Sequence, residues 1–246
     1  MADAAHPSKG KDFLKYPRDW WQYVRGPGAF FASVDLDGTD EIVRSAKHLG
    51  LGLAGTVAFS AVNLKLSGIS GAEDTAKLLQ GSVLAHTLFL GCLVSILIAH
   101  LLSWVCRGEG KPRRTFVAFA YTYAFVWPTL SLAMILIGWY IQLTLGVPWV
   151  ELPPLGVSQS IRIERTFGNL LLAAVPVTAL IWMIVFVGYG YVRAVMTAQK
   201  MGPVRACLVA GGNILVLRLI QDPLSSTAHK VALILDPLIG WLFKLL

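Results

Sequence analysis

Apolar residues in this chain gather into long runs separated by short polar or basic segments, and the runs predict helices over 39–66, 83–105, 116–147, 167–192 and 206–220. A hydrocarbon layer about 30 Å thick is crossed by roughly 20 apolar residues rising about 1.5 Å each. Each run is therefore a spanning candidate, 206–220 being the shortest. The pattern predicts an all-α fold, a polytopic membrane helix bundle with about five transmembrane helices. Thr39 followed by Asp40 and Glu41 supplies an N-cap hydroxyl and first-turn acids, where the helix dipole favours them. The chain divides into an interfacial or cytoplasmic segment over 1–38, the bundle over 39–221, and an amphipathic or re-entrant C-terminal helix over 222–246. Within the last, 231–246 is apolar but broken by Asp236-Pro237, which is costly in lipid, so an interfacial position is expected.

Composition strengthens the membrane reading. Hydrophobic residues are 55% and charged residues 14% of the 246, whereas soluble domains carry about 25% charged residues. The net charge of +7 would raise nucleic acid as a partner in a soluble protein. No basic helix with interleaved aromatics is present, so nucleic acid is not expected. The cations instead flank the apolar runs. Fourteen Lys and Arg fall in the segment through Lys47, the 107–114 loop and the 193–205 stretch, against four in the two loops that must face the other way. By the positive-inside rule the N-terminus is cytoplasmic, in a cell membrane for which the bacterial cytoplasmic membrane is favoured. The first apolar run starts near His48, too far along for a secretory signal peptide.

Residues before the first run mix Tyr16, Trp20, Trp21, Tyr23, Phe30 and Phe31 with Lys11, Lys15, Arg18 and Arg25. Amphipathic rings and cations suit the headgroup level, so this segment is expected to lie along the membrane surface. The lipid-interface candidates are Trp20, Trp21, Arg25, Arg107, Arg113 and Arg114.

The motifs that carry chemistry are few. Gly50, Gly52 and Gly55 spell GxGxxG, but no strand precedes them, so close helix packing explains them better than a dinucleotide. Val187-Gly188-Tyr189-Gly190 matches part of a potassium-filter sequence, yet it continues an apolar helix without a pore helix beside it. His86 and His100 stand fourteen residues apart on one predicted helix, on nearly one face and about 21 Å apart. That spacing suits two stacked haems, for which only His48 offers a partner ligand, to His100. Asp35, Asp37, Asp40 and Glu41 lack calcium-loop spacing and read as a turn and helix start. Pro128 and Pro176 kink two helices, and with His86, His100 and Asn169 they form the candidate pathway or polar core. Cys92, Cys106 and Cys207 are expected as buried free thiols. No catalytic residue, cofactor or metal is expected.

The order of features resembles the Yip1-domain superfamily of five-span membrane proteins, particularly its bacterial members. The resemblance rests on Gly26-Pro27-Gly28-Ala29-Phe30-Phe31, on the basic 107–114 loop leading into 121–128, and on the helix over 182–200. Asp35-Leu36-Asp37-Gly38 stands where eukaryotic members have an acidic-Leu-aromatic-Gly-Pro run. The resemblance implies a cytoplasmic N-terminus and a non-enzymatic role in membrane organisation, trafficking or complex assembly. Partners expected on this reading are the lipid bilayer, other integral membrane proteins and a further copy of the chain. The alternatives are a transporter or channel subunit and a haem-bearing electron carrier.

Overall fold

Each of the five apolar runs becomes a helix, and two short helices precede them. The computed structural model describes residues 15–66, 73–145 and 167–221, with 223, 226, 227 and 230; side chains at 60, 61, 63–66, 73–86, 141–145 and 167–173 are not described. The elements are α1 (Tyr16–Arg25), α2 (Pro27–Ser33), α3 (Thr39–Leu66), α4 (Glu73–Val105), α5 (Pro112–Leu145), α6 (Phe167–Gln199) and α7 (Pro203–Leu219), with no strand among the described residues. The expected C-terminal helix over 231–246 lies outside them.

Among the described residues three helices are long and apolar enough to cross a membrane: α4 over Thr87–Val105, α5 over Pro112–Tyr140 and α6 over Ala174–Gln199. The expected five spans are not supported. Helix α7 has 17 residues, about 26 Å at 1.5 Å each, which falls short of the hydrocarbon thickness. Helix α3 gives its first turns to Asp40, Glu41, Arg44 and Lys47, and Glu41 and Arg44 serve the site described below.

Helix α5 is the axis of the bundle. Every residue over 117–126 is buried, as expected of a helix apolar on all sides. Of its spanning stretch 56% is buried, against 22% for each of α4 and α6, because both α3 and α6 pack extensively on α5. On the α3 side the approach depends on Gly52, where a Cβ would lie 2.4 Å from the Ala124 carbonyl oxygen. Pro128 is buried beside Gly55, so its kink is packed against α3. Pro176 is buried as well. Of the three cysteines, Cys92 is buried and Cys106 half-buried, while Cys207, expected inside, is exposed on α7.

The elbow formed by α1 and α2 turns part of its aromatic cluster into the bundle. Gly26 interrupts the helix, Pro27 restarts it, and the turn directs Tyr23, Phe30 and Phe31 into the core. These rings meet Tyr121 and Phe125 of α5 and Phe186 of α6, mostly edge to face, the arrangement that aromatic quadrupoles favour. Tyr23 covers Gly190 so closely that a Cβ there would fall 2.3 Å from its hydroxyl. The filter-like Val187–Gly190 run thus serves as a seat for a tyrosine.

At one end of the bundle the α4–α5 loop crosses the end of α6. The Glu109 N–H donates to the Gln199 carbonyl at 3.1 Å, and a Cβ on Gly110 would meet the Ala198 oxygen at 2.1 Å. Arg107 and Lys200, with φ of 59° and 52°, turn the chain out of α4 and α6. The segment between α2 and α3 reaches the same end, since Asp37 pairs with Arg114 at 3.3 Å, and in the elbow a Cβ on Gly28 would meet the Arg193 guanidinium of α6. The three segments richest in cations therefore meet.

Candidate functional site

Polar side chains buried at this end form two clusters, one on either side of α5. The first is built on α3, where Glu41, Arg44 and His48 recur at the spacing of one helix face. That face meets Asp19 of α1. Arg44 Nη2 lies 2.5 Å and His48 Nε2 3.1 Å from Asp19 Oδ2. Glu41 sits 3.7 Å from the other Arg44 nitrogen and accepts the hydroxyl proton of Tyr121. His48 is 2% exposed and Asp19 8% at the side chain, while Arg44 keeps 33%. Arg44 is therefore the most exposed member of the cluster.

His48 is engaged at both ring nitrogens: Nδ1 is 2.9 Å from the Arg44 carbonyl oxygen and Nε2 faces the Asp19 carboxylate. Tyr16 and Tyr121 flank the ring at 5.3 Å. With both nitrogens committed to this cluster, His48 is in no position to complete a haem pair with His100.

Burial pushes the Asp19 carboxyl up, but hydrogen bonds from His48 and Arg44 together with their charges outweigh it and hold Asp19 below its usual range. A carboxyl depressed by folding stabilises the fold above its unfolded value, about 4, and that contribution is lost as pH falls through the folded value. Acidification from about pH 6 to about pH 3 is therefore expected to lower the thermal midpoint of the wild type. An Asp19→Asn variant, with nothing to protonate at that position, should show a smaller acid-induced drop.

The second cluster centres on Gln199, which is 1% exposed. Its Nε2 donates to Thr115 Oγ1 at 2.5 Å and approaches His100 Nδ1 at 3.3 Å. Its Oε1 accepts the Gly110 N–H at 3.1 Å. One amide thereby joins α4, α5, α6 and the α4–α5 loop. Replacing Gln199 with Leu leaves Thr115 and the Gly110 N–H without these partners, at a cost of about 2–3 kcal/mol. The loss should appear as a lower thermal midpoint in detergent, while Gln199→Glu, which keeps the acceptor, should lose less.

Deeper in the bundle, Asn213 of α7 donates to Ser95 of α4 at 2.7 Å, and Tyr123 donates to the same hydroxyl. This is how the short α7 is fastened.

The residues singled out from sequence divide accordingly. Trp20 is half-buried and donates its indole N–H to Thr129 at 2.8 Å. Trp21 is 49% exposed, with the Arg25 guanidinium 4.9 Å above its ring. Arg107 is exposed and Arg113 half-buried. Arg114 faces inward to Asp37 and the Thr197 carbonyl. His100 joins the Gln199 cluster, while the side chains of His86 and Asn169 lie outside the described residues. Asp19, Arg44, Thr115 and Gln199 were not singled out; the signal for the first cluster was the polar face 41-44-48 within an otherwise apolar run.

Compared with known proteins, the chain matches no family model, no curated protein and no solved structure.

Proposed function

We propose that this chain is a non-enzymatic integral membrane protein that assembles or organises other membrane proteins, with its N-terminus in the cytoplasm. The observation that carries the reading is a contrast within one bundle. The polar side chains at the cationic end are spent on holding the chain's own elements together, while the outward faces of two spans stay apolar and uncovered. On α6, Ile181, Ile184 and Val185 are 57, 72 and 62% exposed, and on α4, Leu97 and Leu101 are 59 and 52% exposed. Such faces suit lipid and the helices of other membrane proteins alike, and small or aromatic side chains among them favour helix contacts. The layout shared with the Yip1-domain superfamily agrees with this role.

The transporter reading draws less support. Pro128 is packed against α3 and His100 is engaged by Gln199, so both act as fixed parts of the packing. A photo-reactive residue at Ile184 or Leu97 in native membranes tests the proposal. Discrete protein adducts, reproducible between preparations, are expected. Adducts with lipid alone from both positions would contradict an assembly role.

A further inference from the structure

The membrane-facing rim beneath α4 and α7 combines cations and apolar side chains in the order of a phospholipid. Span Thr87–Val105 ends next to Arg107, and span Ala174–Gln199 ends next to Lys200. The two connecting loops touch, since the Gly108 position abuts Met201, so Arg107 and Lys111 share one surface with Lys200 and Arg205. All four are exposed. In the α4–α5 loop the sole acid is Glu109, and the first turn of α5 has none. Arg114 does not belong to this surface, because Asp37 and the Thr197 carbonyl hold it. Arg113 does not either, for it is half-buried and its Nε and Nη2 are shut away from the surroundings. Directly above the cations, Trp104 and Val105 of α4 and Val204 and Leu208 of α7 are 75, 71, 74 and 66% exposed.

From this juxtaposition we infer that the corner between the end of α4 and the start of α7 is a binding site for an anionic phospholipid. Arg107 and Arg205 receive the headgroup phosphate, and Trp104 and Leu208 receive the upper acyl chain. Cations at a membrane surface attract anionic headgroups, and a tryptophan at the end of a span favours the headgroup level. Two exposed guanidinium groups offer the paired donors that a phosphate accepts. The site deepens the proposed membrane role and rests on it: the lipid would mark the leaflet in which the cationic end sits.

The test uses the purified full chain in nanodiscs of phosphatidylcholine titrated with phosphatidylglycerol, reading bound lipid by native mass spectrometry. Wild type is expected to retain phosphatidylglycerol preferentially. Each neutralised cation should weaken retention about fivefold, so Arg107→Gln with Arg205→Gln loses about 25-fold. Arg18→Gln with Arg25→Gln, on the elbow, should stay within about twofold. Arg107→Lys with Arg205→Lys, which preserves charge, guards against misfolding and should retain most of the binding. Equal losses in the α4–α7 and elbow variants, or no preference over phosphatidylcholine, would overturn the site. Competition by inorganic phosphate at equal concentration would overturn the lipid assignment. Recovery of the chain in carbonate-washed membranes separates failure of this site from failure of the membrane reading itself.

Discussion

Replacing Gly52 with Ala is expected to destabilise the bundle by about 3 kcal/mol or more, toward the upper end of overpacking losses. The reason is geometric. The added Cβ would lie 2.4, 2.6 and 2.8 Å from the O, Cα and C atoms of Ala124. Those are backbone atoms of the most buried helix, so no side chain can rotate away, and α3 must move as a unit. Ala124→Gly should therefore fail to rescue the variant, which distinguishes a backbone contact from a side-chain clash. Gly50 supplies the control, for a Cβ there meets nothing within 4 Å, and Gly50→Ala should be neutral or slightly stabilising through helix propensity. Thermal unfolding in detergent, followed by helical circular dichroism, separates the three outcomes.

The second large effect is expected at Asp19. Exchange for Asn keeps the shape but removes the carboxylate on which Arg44 and His48 converge. Breaking a buried pair by deleting one partner costs about 3–5 kcal/mol. Arg44 retains 33% exposure, and solvent screening reduces this to about 2–3 kcal/mol. A double variant, Asp19→Asn with His48→Gln, should lose less than the sum of the two single losses, because both changes remove the same contact. Strictly additive losses would mean that the two side chains do not act as a pair. Hydrogen exchange should place the loosening in α1, since Asp19 is the polar tie between α1 and α3.

Much of this fold is legible in the spacing of apolar residues, and the illegible parts have identifiable causes. The first predicted run, 39–66, coincides with α3, because acids at its start and a long apolar stretch leave little choice of boundary. Hydropathy alone could not tell that Glu41 and Arg44 of α3 join a cluster with α1 and α5, whereas the shortness of the 206–220 run was already visible. Within residues 16–33 the aromatic and basic character was plain, but nothing in the spacing marks Tyr23 and Phe30 as the rings that pack against Phe125 of α5.

The clusters were less legible still. Asp19 and His48 are 29 positions apart, and Gln199 reaches Thr115 across 84. Neither pair leaves a local motif. His100 drew notice as a possible ligand because histidine is chemically versatile, whereas Gln199, the residue that organises the cluster, has no titratable group to attract attention. By contrast, the grouping of cations was readable without any contact information, since orientation rules depend on counts of Lys and Arg in connecting segments.

The central claim is that the elbow, the α4–α5 loop and the α6–α7 turn occupy one side of a membrane. Single cysteines at Arg18, Lys111 and Lys200, placed in a background without Cys92, Cys106 and Cys207, can be labelled with an impermeant maleimide in sealed right-side-out and inverted vesicles. All three are predicted to react in inverted vesicles and to stay protected in right-side-out ones. Reaction of Lys111→Cys from the side opposite to Arg18→Cys would contradict the account.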